Sequence, residues 1–313
     1  MDNEILIEAR QLTRRYGPTV AVENLNLTLR KGEILGLLGP NGAGKSTTMK
    51  MLTGNLAPSA GEVYVKGTSL HEQPKAAKQS LGYLPEQPPV YPELTVDEYL
   101  HYCASLHGVA KAAQAAAVES AKRDCGLADV GRRLVGNLSK GYQQRVGIAQ
   151  AIIHRPPVVV LDEPTVGLDP IQIREIRKLI ADLGQNHSVI VSSHILSEIE
   201  AVCSRVMIIA RGQVVYNESL DATRAGTFVS VVASFRKAPE PSALAALAGV
   251  KSVNALGDGS FRITRDGAQD PREAIADAAA RGGWGLYELS AQRHTLEDIF
   301  VELTLRDAAR AAA

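Results

Sequence analysis

Two features are missing from this sequence, and each absence argues against a class of protein. The formal net charge is +0, because 34 basic residues balance 34 acidic ones, so the chain lacks the overall basic character of a nucleic-acid-binding protein. No uninterrupted apolar run approaches the roughly 20 residues that a membrane-spanning helix needs. Any association with a membrane is therefore expected to depend on a partner.

Signals for secretion and for disulfide or metal chemistry are missing as well. Residues 1–4 are acidic and lack the basic region, apolar stretch and small-residue cleavage site of a secretory signal. We therefore expect the protein in the cytosol. Cys103, Cys125 and Cys203 are far apart and odd in number, without metal-ligand spacing, so reduced thiols are expected. The length of 313 residues suits one to two domains.

A glycine-rich segment, residues 39–47, matches the phosphate-binding pattern G-x-x-x-x-G-K-[ST]. An apolar run precedes it and a helical pattern follows, and backbone N–H groups at such a helix N-terminus bind anions. The residues expected to surround the nucleotide phosphates are Gly39, Pro40, Asn41, Gly42, Ala43, Gly44, Lys45, Ser46 and Thr47. We expect Lys45 to reach the β- and γ-phosphates and Ser46 to hold Mg²⁺ through its hydroxyl.

Alternation of strands and helices predicts an α/β fold with a mainly parallel sheet. With the phosphate-binding pattern, the expected fold is a P-loop NTPase core that also carries an antiparallel side sheet. Strands are expected at residues 5–12, 20–29, 33–38, 62–66, 157–161, 189–192 and, as the last of this domain, 205–210. Residues 82–89 are expected to form a rigid loop. A helical insertion, about residues 85–137, is expected to follow, with a capping box at Thr95 and Glu98. This insertion is a candidate partner-binding surface, and simple packing is the alternative.

The composition shifts near residues 221–226, which predicts a nucleotide-binding domain over residues 1–220 and an accessory α+β domain over residues 221–313. In the second domain the expected order is strand, helix, strand, strand, helix and strand, which resembles a split βαβ unit. A final helix is expected from Thr295, with Asp298 completing its capping box. Bracing a dimer, regulating its closure, contacting another component and simple packing are all open as roles of this domain.

Two acidic residues, Asp162 and Glu163, follow the buried-looking apolar strand. At the C-terminal end of such a strand, near the phosphate-binding segment, Asp162 is expected to hold Mg²⁺ through a water molecule. Glu163, as an ionised carboxylate, is expected to polarise the attacking water. The alternative for this pair is a turn with two solvated acids.

Several further motifs, in order and spacing, resemble those of the ATP-binding-cassette (ABC) family over about residues 5–218. Residues 138–144, Leu-Ser-Lys-Gly-Tyr-Gln-Gln, resemble the signature segment of that family, and residues 158–164 resemble its acidic strand end. Gln87, residues 167–169 and His194 resemble its glutamine loop, aspartate loop and switch histidine. The joint match is far more specific than any one motif.

The resemblance implies roles for residues outside the phosphate-binding segment. Tyr16 is expected to stack on adenine, an interaction that reads the base only loosely. Gln87, on a proline-flanked loop, is expected to touch Mg²⁺ or the attacking water, and His194 is expected to donate a hydrogen bond to the γ-phosphate. In the family, two subunits meet head to tail around two ATP molecules. Ser139 and Gly141 are then expected to contact the ATP of the other subunit, with Asp169 near the dimer centre.

Which process consumes the ATP is the remaining question. The segments 82–87, 92–96 and 295–300 resemble exporter-type members of the family. The first hypothesis is therefore a homodimeric or paired ATPase subunit with ATP and Mg²⁺ as cofactors. It would serve transmembrane permease subunits at the cytoplasmic face of the inner (plasma) membrane. Nucleic acid is not expected as a partner. The alternative is a soluble ABC ATPase acting on ribosomes or DNA. A GTPase or small-molecule kinase is disfavoured, because the sequence has no N-K-x-D motif.

Overall fold

The computed structural model describes residues 4–220, 228–266, 270–293, 296–297 and 300. Residues 4–220 form a first compact unit, and the described residues between 228 and 300 form a second. In chain order, the strands of the first unit are β1 (Ile5–Tyr16), β2 (Thr19–Arg30), β3 (Ile34–Leu38), β4 (Ala60–Val65), β5 (Thr68–Ser69), β6 (Leu81–Leu84), β7 (Val158–Leu161), β8 (Ser188–Ser193), β9 (Arg205–Ala210) and β10 (Gln213–Ser219). Its helices are α1 (Lys45–Leu52), α2 (Pro74–Lys78), α3 (Val96–Leu106), α4 (Lys111–Asp124), α5 (Lys140–Ile152), α6 (Pro170–Leu183) and α7 (Leu196–Val202).

The central sheet of the first unit has the strand order β10-β9-β3-β8-β7-β6. The pairs from β9 to β6 are parallel, and β10 runs antiparallel to β9 at one edge. All four residues of β7 are buried, as expected for a strand covered on both faces. Because the strands are parallel, their C-terminal ends share one edge, and β3, β7 and β8 bring their following loops together there.

An antiparallel side sheet, of order β2-β1-β4-β5, completes the first unit. One hydrophobic core joins the two sheets and α1, with Leu25 and Leu37 from the sheets and Met49 from the helix among its members. This arrangement fixes the start of α1 between the sheets. The mainly parallel α/β fold with an antiparallel side sheet is therefore confirmed.

The helical insertion contains α3 and α4, and the predicted capping box is confirmed. The Thr95 hydroxyl accepts a hydrogen bond from the Glu98 backbone at 3.2 Å, and the Thr95 backbone donates to the Glu98 carboxylate at 2.8 Å. Both contacts satisfy donors at the start of α3. In the part of the chain that the structure describes, no helix is both long and apolar enough to cross a membrane.

The described residues of the second unit form an antiparallel sheet and two helices. Its elements are β11 (Phe228–Phe235), α8 (Pro241–Ala245), β12 (Val250–Gly257), β13 (Ser260–Arg265), α9 (Arg272–Gly282) and β14 (Leu286–Arg293). The strand order is β12-β13-β11-β14, so each helix connects two strands that a third strand separates. This is the split βαβ pattern that the sequence predicts.

Two of the sequence predictions for the first unit need correction. The expected rigid loop at residues 82–89 begins with strand β6, which pairs with β7 from Leu81 opposite Val158 to Leu84 opposite Leu161. The strand at residues 205–210 is not the last, because β10 follows it. The expected capping box at Thr295 and Asp298 lies outside the described residues.

Candidate functional site

The phosphate-binding segment connects the C-terminal end of β3 to the first residue of α1. Gly42 and Gly44 have φ angles of +80° and +107°, which residues with a Cβ rarely adopt. A Cβ at Gly44 would also lie only 2.7 Å from the Ala21 carbonyl oxygen. Glycine is therefore needed at position 44 for both conformation and space.

A cavity of about 360 Å³ opens on this segment, within the size range of small-molecule sites. Its lining includes Asn41, Gly42, Gly44, Lys45, Ser46 and Thr47. Glu163 and His194 line the same cavity. Three predicted motifs thus meet in one place, although the phosphate-binding segment is more than 100 residues from the other two in the sequence.

The Lys45 side chain is 5% exposed and its ammonium group has three partners. Nζ donates to the carbonyl oxygens of Gly39 and Pro40 at 2.8 and 3.2 Å and lies 3.2 Å from Oε1 of Glu163. Ala43 is buried, and its backbone donates to the Pro40 carbonyl at 3.2 Å. Gly39, Pro40 and Ala43 therefore support the segment and do not line the cavity.

Asp162 follows β7 and lies beside the start of α1. Its Oδ1 accepts hydrogen bonds from the hydroxyls of Ser46 at 3.2 Å and Ser192 at 2.7 Å. Burial raises the pKa of Asp162, while these two hydrogen bonds act in the opposite direction. Ser192 is a site residue that the sequence interpretation missed, because a serine within a buried strand gives no distinctive signal.

Ser46 and Asp162 are suitable ligands for Mg²⁺, which prefers oxygen donors. No group of three or more His, Cys, Asp or Glu side chains that could hold a metal ion occurs among the described residues. Proteins usually bind Mg²⁺ with one or two carboxylates plus water and substrate phosphates. The single hydroxyl and carboxylate therefore fit an ion that arrives with a phosphate ligand.

The Glu163 carboxylate lies between the side chains of Lys45 and His194. Its Oε2 lies 2.9 Å from Nδ1 of His194, and its Oε1 faces Lys45. Its backbone has a φ of +47°, which is uncommon for a residue other than glycine, and its N–H donates to the Ser192 hydroxyl at 2.8 Å. The side chain is only 9% exposed, whereas that of His194 is 38% exposed. A buried carboxylate thus faces the cavity with its orientation fixed from both sides.

The structure does not bring Gln87 to this cavity. Gln87 is exposed and is not among the lining residues, whereas its neighbour Glu86 lines the cavity. The charge of Glu86 also contributes to raising the pKa of Asp162. The prediction chose Gln87 because the resemblance favoured an amide, but the backbone after β6 directs Glu86 to the site.

The other predicted contact residues lie outside the cavity. Tyr16 is 47% exposed, with the Arg14 guanidinium carbon 4.8 Å from its ring centroid. Ser139 caps α5, and its hydroxyl accepts from the Tyr142 backbone at 3.4 Å. Asp169 caps α6, and Gly141 is packed so closely that a Cβ would lie 2.8 Å from the Gln172 side chain.

Comparison with known proteins adds sequence evidence to this geometry. A family model described as ABC transporter matches residues 22–166. The bacitracin transport ATP-binding protein BcrA of Bacillus licheniformis is 40% identical over 210 residues, which are 66% of this chain and 68% of that protein. The probable multidrug ABC transporter ATP-binding protein YbhF of Escherichia coli is 35% identical over 223 residues, 71% of this chain, and this alignment spans 38% of the length of YbhF.

Solved structures resemble the same part of the chain. The dimeric structure of MJ0796, a bacterial ABC transporter cassette, is 25% identical and covers 69% of this chain and 99% of its own, with a TM-score of 0.63. A dimeric post-hydrolysis structure of that cassette with ADP and Pi has a TM-score of 0.62. The similarity is therefore to a cassette that has been seen as a dimer and after hydrolysis.

Proposed function

This chain belongs to the ABC transporter family as an ATP-binding, ATP-hydrolysing subunit, and we propose on that premise that two copies close around two ATP molecules to drive export through separate membrane-spanning subunits. The observation that carries this proposal is the position of Glu163. It is buried at the cavity, 3.2 Å from Lys45 Nζ and 2.9 Å from His194 Nδ1. A carboxylate in that position is suited to accept a proton from water beside a bound phosphate.

Each residue of the cavity has a proposed part in hydrolysis. Asn41 to Thr47 receive the phosphates on backbone N–H groups, and Lys45 neutralises their charge. Glu163 orients the attacking water and takes its proton. His194 contacts Glu163 and also lines the cavity, and it donates a hydrogen bond to the terminal phosphate. Tyr16 stacks on the adenine, with Arg14 already covering one face of its ring.

Magnesium is the proposed metal of this site. Ser46 and Asp162 hold it, because their oxygens already lie 3.2 Å apart. When bound, the ion neutralises phosphate charge. Asp162 is suited to this position because its burial leaves the carboxylate short of solvent, and a cation would compensate for that loss.

The need for a second copy is proposed from the residues that lie outside the cavity. Ser139, Gly141 and Asp169 are at the N-termini of α5 and α6, where the helix dipole favours an anion. A head-to-tail partner would place its Ser139 and Gly141 over the phosphates held by Lys45. The dimeric cassette similar to this chain supports that arrangement.

Export is proposed from the named relatives. BcrA is a bacitracin transport protein and YbhF a probable multidrug transporter protein. We propose a similar task here, at the cytoplasmic face of the plasma membrane, where permease subunits hold the dimer. The helical insertion, connected to Glu86 through the loop after β6, would carry the change in nucleotide state to them.

The partner can be identified with the Glu163→Gln variant, which is expected to bind ATP without consuming it. The full-length variant should be purified with ATP from detergent-solubilised membranes and compared with the Lys45→Ala variant. We expect the first sample to retain a multi-span membrane protein in fixed stoichiometry. Recovery of ribosomal proteins or DNA in its place would favour the soluble alternative and contradict the transport role.

Glu86 and Gln87 allow a matched test of which residue serves the metal. Glu86→Ala should raise the Mg²⁺ concentration for half-maximal hydrolysis about tenfold, because it removes a negative charge that acts on Asp162, and groups around metal ligands typically change metal affinity by about 10–100-fold. Gln87→Ala should leave the Mg²⁺ dependence unchanged. Titration of ATPase activity with Mg²⁺ checks this, and a larger effect of Gln87→Ala would restore the sequence-based assignment.

A further inference from the structure

A buried carboxylate outside the cavity connects the two segments that carry Glu163 and His194. Glu198, in α7, is 5% exposed. Its Oε2 accepts hydrogen bonds from the hydroxyls of Thr165 and Ser193, each at 2.7 Å. Both donors are themselves buried, at 6% and 1% exposure. The three side chains therefore form a contact from which water is largely excluded.

The position of the two donors in the chain gives this contact its significance. Thr165 lies two residues after Glu163, and Ser193 comes directly before His194. The Ser193 hydroxyl also accepts a hydrogen bond from the Ile195 backbone at 3.0 Å, so the backbone is held on both sides of His194. One carboxylate oxygen thus fixes the distance between the two loops whose side chains meet at Glu163 Oε2 and His194 Nδ1.

Burying a carboxylate is costly unless its charge is compensated. Nη2 of Arg177 lies 3.8 Å from Oε1 of Glu198, beyond hydrogen-bond distance, and Oε1 accepts no hydrogen bond from the described residues. The two hydroxyls that donate to Oε2 therefore provide most of the compensation for burying the Glu198 carboxylate. If the residue at position 198 contributed only to stability, an apolar residue of similar size would stabilise the fold equally well.

We propose that Glu198 is a positioning residue that holds His194 against Glu163 through Ser193 and Thr165. Glu198 touches neither the cavity nor the reacting atoms; it sets the geometry of the two residues that do. Because Arg177 belongs to α6, the same carboxylate also connects this pair to the helix that begins after Asp169. The inference rests on the proposed roles of Glu163 and His194.

The test is a set of substitutions at Thr165. Thr165→Val keeps the shape of the side chain and removes the hydroxyl, whereas Thr165→Ser keeps the hydroxyl. Thr165→Val should lower kcat roughly 10- to 100-fold, because small displacements of catalytic groups have effects of this size. The affinity for ATP should stay unchanged, since no phosphate contact is altered. Thr165→Ser should retain most of the activity, and Ser193→Ala should repeat the effect of Thr165→Val.

A double-mutant cycle with His194→Ala separates positioning from a general loss of stability. If Thr165 acts through His194, then Thr165→Val should have little further effect on kcat once His194→Ala is present. Effects that multiply in the double variant, or equal losses in Thr165→Val and Thr165→Ser, would overturn the inference. Normal hydrolysis by His194→Ala itself would overturn the proposed role of His194 and this inference with it. Normal hydrolysis by Thr165→Val beside an impaired His194→Ala overturns the inference alone.

Discussion

Replacing Glu163 with glutamine should lower ATP turnover by about 10²–10⁴-fold while leaving ATP binding intact, because positioned general bases contribute factors of this size. Glutamine keeps the shape of the side chain and an oxygen that can still accept from Lys45, 3.2 Å away in the native protein. It loses the ability to take a proton. Steady-state hydrolysis and equilibrium binding of ATP, measured on the same preparation, check both parts of this prediction.

The matched control for this variant is an exposed glutamate with no part in the cavity. Glu72→Gln, in the segment between β5 and α2, makes the same chemical change on the surface and should keep normal turnover. The Glu163→Gln variant should in addition accumulate as an ATP-bound dimer in size-exclusion chromatography. Turnover close to that of the unmodified protein would show that another group serves as the base.

Replacing Lys45 with alanine should weaken ATP binding by roughly 10²–10³-fold, or about 3–4 kcal/mol, a usual range when one member of a buried charge pair is removed. The Lys45 side chain is 5% exposed and lines the cavity. Its loss also leaves the Glu163 carboxylate without its cationic partner, and this negative charge would repel the phosphates. Direct titration of ATP binding measures the effect.

Lys50→Ala is the control for Lys45→Ala, because Lys50 is an exposed residue of the same helix. It should change the affinity for ATP by less than about twofold, as exposed charges contribute little. Equal losses in the two variants would indicate damage to α1. Unchanged affinity in Lys45→Ala would contradict the assignment of residues 39–47 as the nucleotide site.

Local patterns were sufficient to predict much of the fold. The capping box of α3 and the apolar strand β7 each have a signal within a few residues, and both are present. Strand β6 is different, because Leu81–Leu84 is short and runs into a proline-rich segment. It forms a strand only by pairing with β7, more than 70 residues later, and no property of residues 81–84 alone indicates this.

The site was predictable where a sequence motif is by itself diagnostic of a chemical role. The glycine pattern and the acidic pair led to Lys45, Asp162 and Glu163, which the structure brings together. Glu86 was missed because the direction of a side chain depends on the backbone that precedes it. Glu198 was missed for another reason: its sequence position suits a solvated helix surface, and its burial between Thr165 and Ser193 arises only in the folded chain.

Each hydrolytic site is proposed to be shared between two copies of the chain, and mixing two inactive variants tests this sharing most directly. Lys45→Ala disables the phosphate-binding segment but keeps Ser139. Ser139→Asp keeps a good helix cap while placing a negative charge where the partner's phosphate is expected.

A mixed dimer would contain one intact site, made from the phosphate-binding segment of one chain and Ser139 of the other. An equal mixture should therefore recover up to about a quarter of the normal ATPase activity, since about half of randomly formed dimers are mixed. Activity no greater than the sum of the separate variants would contradict the shared site.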